Sequence, residues 1–180
     1  MFFEECLEQK TVFKGEFLSC RKDTVKLINN QNATREFVVS KDASAVIALN
    51  NEKKIILVNQ FRYAQKKEML EIPAGGIEQN ESPLNAAKRE LLEETGYCSN
   101  NWQSLFEIIP TPYCTEKIHI FFAKDAYIKT KPHPDENELL TVLALPFKTV
   151  LNKILNKEIK DSKTIIAILK ISSFFSEQFK

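Results

Sequence analysis

The chain has 180 residues, of which 43% are hydrophobic and 27% are charged, and its formal net charge is +1. This length suffices for one globular domain with a small appendage, and a near-neutral chain without a basic block argues against nucleic acid as the main partner. The sequence has no apolar run long enough to span a membrane, no CxxC pair for zinc and no basic N-terminus of the signal-peptide kind, so we expect a cytoplasmic protein with reduced thiols.

Residues 1–40 form short strand-like runs separated by polar turns. The runs are Thr11 to Leu18, Thr24 to Ile28 and Glu36 to Val39, with an asparagine-rich turn at 29–32. A small sheet with few large apolar side chains is marginal on its own in water. We therefore expect residues 1–40 to form an antiparallel β appendage that packs on the rest of the chain or on a second copy.

Residues 41–180 alternate predicted strands with predicted helices. The strands are expected at 43–49, 54–60, 69–72, 102–109, 117–123 and 139–145. The first two are apolar on both sides, as in a strand that is covered on both faces. Helices are expected to start at Ser82, at Pro146 and at Asp161 or Ser162. This order predicts an α/β fold in which a mixed sheet lies between helices.

The helix expected from Ser82 to Gly96 is the most informative element. Ser82 offers an N-cap oxygen, Pro83 suits the first helical position, and Gly96 is a helix stop. Its apolar stripe consists of Leu84, Ala87 and Leu91. This stripe predicts which side of the helix packs on a core.

Three carboxylates share the other side of this helix. They are Glu90, Glu93 and Glu94, and Arg89 can hold Glu93 from the preceding turn. One interpretation is a solvated acidic face, since like charges at this spacing cost an exposed helix only about 0.2–0.5 kcal/mol per pair. The other is a site for Mg²⁺, which takes one or two carboxylates and completes its shell with water and phosphate oxygens. The tight turn at 74–76 favours the metal, because a backbone carbonyl there can join the shell.

Polar residues outside this helix are further candidates. Arg62 at a strand end suits a phosphate group. Glu71 in an apolar strand needs a partner, which indicates a role in binding a ligand or a metal. The acidic loop at 135–138 is of the kind that delivers catalytic groups. Solvent exposure is the alternative for Arg62 and for this loop. Spacing alone makes Arg35 and Glu36 only a polar pair.

The segment from Gly75 to Tyr97 resembles the box of the Nudix hydrolases. The matching residues at fixed spacing are Gly75, Glu81, Arg89, Glu90, Leu91, Glu93, Glu94 and Gly96. The one soft departure is Tyr97, where an aliphatic residue is more usual. The resemblance implies hydrolysis of a nucleoside diphosphate linked to another group, with Mg²⁺ as cofactor and Mn²⁺ as a substitute.

Most of the chain resembles the ADP-ribose pyrophosphatase branch of that family. The matching segments are TREFVV, QFRYA, EIPAGGIE, TPYCTEKIHIFFA and DENE. The resemblance implies a Nudix-type α/β/α sandwich and a homodimer whose N-terminal sheets are exchanged. Metal ligation is implied for the Ala74 carbonyl, Glu90, Glu94 and Glu138. Catalysis is implied for Glu94, supported by Glu93, with Glu136 or a box glutamate as the base. Substrate contacts are implied for Arg35, Glu36, Arg62, Glu71, Pro112 and Glu116.

Two departures from this branch bear on the predicted activity. Tyr113 follows Pro112 where glycine is usual, in a loop one residue shorter, and residues 40–43 replace a His-Pro-Gly type of turn at the hinge. We expect hydrolysis of ADP-ribose or a close ADP-sugar to AMP and a sugar phosphate. Because the Pro112 loop departs from this branch, the alternative is hydrolysis of another nucleotide sugar, such as GDP-mannose. A non-catalytic ADP-ribose sensor is a third hypothesis, which predicts a broken box, whereas the box here is intact.

Overall fold

A computed structural model describes residues 2–134 and 137–176, with side chains up to Ser172 in the last helix. The contacts divide the chain into two compact units. Unit 1 joins Met1–Asp42 with Ile109–Lys117, and unit 2 joins Ala43–Ile108 with Ile118–Lys180. No helix in the described ranges is long and apolar enough to cross a membrane.

Unit 1 contains a four-stranded antiparallel sheet. Its strands are β1 (Glu5–Glu8), β2 (Thr11–Lys14), β3 (Leu18–Lys26) and β4 (Asn32–Ser40). Strand β3 pairs with each of the other three. The segment 109–117 joins β4, because the Val38 N–H donates to the Tyr113 carbonyl at 2.9 Å.

The sequence prediction for unit 1 missed β1 and was wrong for the run from Thr11 to Leu18. Thr11 to Leu18 is not a single strand, because the Gly15 N–H donates to the Leu18 carbonyl at 2.9 Å and closes a turn there. The asparagine-rich turn is confirmed, since the Leu27 N–H donates to the Gln31 carbonyl at 2.8 Å between β3 and β4. A glycine inside a predicted strand is a common sign of such an interruption.

Unit 2 is built on an eight-stranded mixed sheet. Its strands are β5 (Ala43–Asn50), β6 (Lys54–Arg62), β7 (Lys67–Glu71), β8 (Ala74–Gly76), β9 (Tyr97–Cys98), β10 (Asn101–Ile108), β11 (Ile118–Ile128) and β12 (Leu140–Pro146). The main path runs β10-β11-β5-β6-β12, with β7 on β6, β8 on β5 and β9 on β11. Only β5 and β11 pair in parallel among these strands.

Helices cover both faces of this sheet, which confirms the predicted α/β/α sandwich. They are α1 (Pro83–Thr95), α2 (Phe147–Leu155) and α3 (Ser162–Ser176). Alternate residues of β5 enter two separate cores: Ile47 packs with α2 and α3, and Val46 packs with α1. Burial of a side chain such as Ile47 contributes about 1.5–3 kcal/mol, so two covered faces stabilise the sheet that carries the site.

The bounds of α1 follow its predicted caps. The Ser82 hydroxyl accepts the Asn85 N–H at 3.3 Å, and Pro83 is the first helical residue. Gly96 ends the helix with φ at 73°, and its N–H donates to the Leu92 carbonyl at 2.8 Å. A left-handed residue favours glycine at this point, so the register of the acidic face is fixed at both ends.

Candidate active site

Unit 2 brings the acidic side of α1 against strand β8. Gly75 of β8 pairs with Ser44 of β5, and the Ser44 hydroxyl donates to the Pro83 carbonyl at 2.8 Å. The start of α1 is thereby tied to the sheet next to β8. Glu90 and Glu94 are consequently only 8% and 2% exposed. The solvated acidic face is therefore the wrong interpretation for these two carboxylates.

Gly75 leaves the space that the Glu90 carboxylate occupies. A Cβ on Gly75 would lie 2.0 Å from Glu90 Oε1 and 2.6 Å from Oε2. Both distances are far inside ordinary contact, so any other residue at this position displaces Glu90. The glycine of the box thus serves a close approach between strand and helix.

Glu94 lies deeper and is held by the backbone of β8. Its Oε2 accepts the Ala74 N–H at 3.1 Å. Burial raises the pKa of Glu94 to about 8, and the charges of Glu90 and Glu138 add to this rise. Burial also raises the pKa of Glu90, against the attraction of Arg89. A cation between the two carboxylates would favour their ionised forms.

The residues present fit a hard divalent cation. Among the described residues no three His, Cys, Asp or Glu side chains gather into a metal-binding group. Two carboxylates beside a backbone turn nevertheless match Mg²⁺, because this ion takes one or two protein carboxylates and keeps oxygens of water and phosphate. Glu138 is exposed. Its charge raises the pKa values of Glu90 and Glu94, by less than their burial does.

Arg89 organises the acidic residues around this pair. Its Nη1 donates to Glu90 at 2.7 Å and to Glu93 at 3.1 Å, as the sequence predicted for Glu93. Its Nε and Nη2 each donate to Glu81 at 3.0 Å, and Nη2 also donates to the Gly76 carbonyl at 2.9 Å. The guanidinium therefore connects the loop after β8 to the helix through five donated bonds.

The Arg89→Lys variant should be destabilised. A lysine keeps the charge but cannot reproduce the planar fork, so several acceptors lose their donors at about 1–3 kcal/mol for each one left buried. We expect the free energy of unfolding in urea to fall by about 2–4 kcal/mol by this accounting. Lys88→Arg, at an exposed position of the same helix, is the control, and equal stability of the two variants would contradict the role of Arg89.

The predicted substrate residues Arg62 and Glu71 form an ion pair with each other. Arg62 Nε and Nη2 donate to the two Glu71 oxygens at 2.8 and 2.7 Å. Lys163 Nζ, on α3, donates to the same carboxylate. Burial alone would raise the pKa of Glu71, but the Arg62 hydrogen bonds and the Lys163 charge outweigh it and lower the pKa. Glu71 is therefore an ionised carboxylate held inside the protein, and its direct contact with substrate stays a prediction.

The remaining predicted substrate residues lie in unit 1. Arg35 donates from Nε to Glu4 at 2.8 Å, and Glu36 pairs with Lys22 at 3.0 Å, both in exposed positions. Pro112 is exposed and Glu116 is half-buried in the segment 109–117. Glu136 lies outside the described residues. The roles of these residues stay predictions.

Sequence reasoning missed the polar residues at the start of α3. Asp161 was expected only as a cap, and Lys163 and Thr164 were not singled out. A signal was present, because a lysine in the first turn opposes the helix dipole and calls for a carboxylate partner. Glu71 and Asp161 are those partners, with Lys163 Nζ 3.0 Å from Asp161 Oδ1.

Comparison with known proteins places this arrangement in a family. The model of the NUDIX domain matches residues 40–166. The chain is 38% identical to a methanol dehydrogenase activator of Bacillus methanolicus, over 93% of this chain and 92% of that protein. It is 33% identical to an ADP-ribose pyrophosphatase of Bacillus subtilis (strain 168), over 92% and 90% respectively.

A solved structure supports the fold. It is the crystal structure of an ADP compounds hydrolase, which superposes with a TM-score of 0.85 at 21% identity and covers 97% of this chain and 95% of its own. At that identity the likeness concerns the fold alone. The family match spans most of the chain and coincides with the Gly75, Glu90 and Glu94 arrangement, and the chain therefore belongs to the Nudix hydrolase family.

Proposed function

We propose that the chain hydrolyses the diphosphate bond of ADP-ribose or a close ADP-sugar, giving AMP and a sugar phosphate. The observation that carries this proposal is the buried Glu90–Glu94 pair, which lies against the backbone of β8 at Gly75 and Ala74. Such a pair needs a cation to ionise fully, and a substrate diphosphate supplies the further oxygens that Mg²⁺ or Mn²⁺ prefers. The relative named ADP-ribose pyrophosphatase, 33% identical over 92% of this chain, supports the choice of substrate.

The reaction is displacement by water at one phosphorus of the diphosphate. A new P–O bond forms to the water oxygen, the bridging P–O bond breaks, and the other phosphate leaves with the bridging oxygen. When bound, Mg²⁺ would offset the charge of the diphosphate and lower the pKa of the attacking water.

The residues of the chain divide the remaining tasks. Glu90, Glu94 and the Ala74 carbonyl would hold the metal, with Glu138 as a further ligand, and Arg62 would neutralise a phosphate oxygen. A carboxylate takes the proton of the water, and Glu136 and the box glutamates are the candidates. Glu93 supports the box through its 3.1 Å bond from Arg89.

A homodimer that exchanges its N-terminal sheets is the finer part of this proposal. Unit 1 exposes several large apolar side chains: Phe2, Phe3, Val12, Phe13 and Phe17. Exposed apolar side chains in this number favour association with a second copy, and Arg35 and Glu36 on the same sheet would reach the ADP-ribose of the partner copy. Light scattering on the purified chain should give the mass of a dimer, and a monomer at micromolar concentration would contradict this part.

Product analysis tests the proposed reaction. The purified chain would be incubated with Mg²⁺ and a panel of ADP-ribose, ADP-glucose, GDP-mannose, NADH and nucleoside triphosphates. AMP and ribose 5-phosphate from ADP-ribose, absent in a Glu94→Gln control, are the expected result. If the chain binds ADP-ribose but hydrolyses none of these compounds, the result would contradict the enzyme and favour a non-catalytic sensor.

Another nucleotide sugar is the second candidate substrate. Relatives named GDP-mannose pyrophosphatase, one of them 33% identical over 74% of this chain, also match. Tyr113, 64% exposed beside Pro112, is the departure from the expected glycine that would alter substrate choice. If the chain hydrolyses GDP-mannose and little ADP-ribose, the proposed mechanism would stand and the preferred substrate would be GDP-mannose.

A further inference from the structure

A buried polar cluster at the start of α3 has no task in the reaction as described so far. We call Asp161, Lys163 and Thr164 the α3 clamp. Lys163 is 8% exposed and Thr164 is fully buried. Asp161 Oδ2 accepts the Thr164 N–H at 2.9 Å and so caps the helix, while Oδ1 accepts Lys163 Nζ at 3.0 Å. Burying a charged lysine in the first turn of a helix is unfavourable unless it makes specific bonds.

The α3 clamp binds two adjacent residues, Glu71 at the end of β7 and Ile72 directly after it. Lys163 Nζ donates to the Glu71 carboxylate, and the Thr164 hydroxyl accepts the Ile72 N–H at 2.8 Å. The Thr164 hydroxyl in turn donates to Asp161 Oδ2 at 2.5 Å. One side chain and one backbone group of the same strand end are therefore fixed from α3.

This strand end is connected to both halves of the site in unit 2. Glu71 holds Arg62 through two bonds, at 2.8 and 2.7 Å, and two residues after Ile72 the Ala74 N–H donates to Glu94. The Arg62 side chain is 42% exposed, and its bonds to Glu71 come from Nε and Nη2. An arginine fixed on one edge and open on the other is suited to an incoming phosphate oxygen.

The charges around Glu71 also bear on how Arg62 would bind a phosphate. Glu71 is one carboxylate shared by two cations, Arg62 and Lys163. The Glu71 charge is therefore not spent on Arg62 alone, because Lys163 bonds the same carboxylate. Asp161 bonds Lys163 and Thr164, and its charge also acts on Arg62, in the same direction as the charge of Glu71.

We propose that the α3 clamp is a positioning device that holds Arg62, through Glu71, for the diphosphate of the substrate. This inference rests on the proposed function and deepens it. It assigns Lys163 and Thr164 an indirect role in substrate binding, through Glu71 and Arg62. Neither residue touches the substrate in this proposal. Their removal should therefore weaken substrate binding while the metal carboxylates on α1 stay in place.

The test compares Lys163→Met and Thr164→Val with wild type on ADP-ribose. We expect each to raise the KM by about 10-fold, by analogy with the loss of a residue that orients a metal-binding side chain, with a smaller change in kcat. Lys163→Arg should recover much of the loss because it restores a cation beside Glu71. Lys160→Met, an equal charge change at an exposed residue, should leave the KM unchanged.

A second readout separates positioning from folding. A purely structural role would lower the melting temperature and the active fraction, and hence the apparent kcat, but would not change the affinity of the folded molecules. ADP-ribose binding by calorimetry in EDTA, where no hydrolysis occurs, should weaken by the same factor as the KM. If Lys163→Met does not fold, Thr164→Val carries the comparison, since it removes one hydroxyl at nearly equal volume.

Two outcomes would overturn the inference, and they are distinguishable. Wild-type KM and binding in both clamp variants, with an active wild type, would show that the α3 clamp does not position Arg62. Absence of ADP-ribose hydrolysis and binding in the wild type itself would remove the proposed function, and this inference with it.

Discussion

The Glu94→Gln variant should lose at least about 10²–10³-fold in kcat with Mg²⁺, the range seen when one preorganised electrostatic group is removed. Glutamine preserves the volume and can still accept the Ala74 N–H, so the backbone of β8 should not move. The variant would remove only the negative charge that faces the metal in the proposed site. Steady-state kinetics on ADP-ribose would measure this loss, with Glu78→Gln at an exposed position as the control. A decrease in kcat of less than tenfold would contradict the role of Glu94 as a metal ligand.

The same variant should change the pH dependence of stability in the absence of metal. The pKa of Glu94 in the folded protein is about 8, above its ordinary value of 4.5. A raised pKa means that this group's stabilising contribution is fully present below the unfolded pKa and is lost as the pH rises through the folded pKa. The rate of loss is at most about 1.4 kcal/mol per pH unit.

Urea unfolding in EDTA at several pH values would test this linkage. Between about pH 5 and pH 8 the wild type should lose stability relative to Glu94→Gln, because glutamine carries no charge to bury. Added Mg²⁺ should reverse part of the wild-type loss, since an ion that binds only the folded state stabilises it. Parallel curves for the two proteins across this range would contradict a buried, metal-seeking carboxylate.

Gly75→Ala should nearly abolish activity while leaving the fold intact. The new Cβ would lie 2.0 Å from Glu90 Oε1, so the carboxylate must move. The atoms that clash belong to the end of a flexible side chain, and moving them costs the fold little. The cost falls on catalysis, where a displacement of about 1 Å can reduce the rate about 10²-fold.

Gly76→Ala is the matched control for this variant. It makes the same chemical change one residue later, where a Cβ would meet no atom within 4 Å. The Gly76 carbonyl that binds Arg89 is unaffected by the substitution. We expect near wild-type kcat/KM for Gly76→Ala and a melting temperature within a few degrees for both variants. Equal activity of the two would show that Glu90 does not need its present place.

Local signals predicted much of the fold. Ser82, Pro83 and Gly96 set the bounds of α1 correctly because capping depends on a few adjacent residues. The doubly apolar β5 correctly indicated a strand covered on both faces. The interruption at Gly15 was missed, since an alternating pattern continues across it and the turn depends on one backbone bond.

The site was less accessible to sequence reasoning than the fold. The spacing of Glu90 and Glu94 showed that they share a side of α1, but their burial depends on β8, which only pairing with β5 brings there. The bond from Lys163 to Glu71 joins residues far apart in sequence. No local pattern predicts such a contact, although the unfavourable place of Lys163 in its helix indicated that a partner exists.

The parallel pairing of β5 with β11 has a consequence for how the chain is made. Ala43 pairs with Ile118 and Ala48 with Ala123, so the middle of the sheet cannot close until β11 has left the ribosome. Loop closure over such a separation is slow. Until then one edge of β5, a strand apolar on both faces, has no neighbour, and an unpaired apolar edge of this kind is prone to aggregation. A chaperone that binds exposed apolar strands would therefore have a target at β5 while the chain is being made.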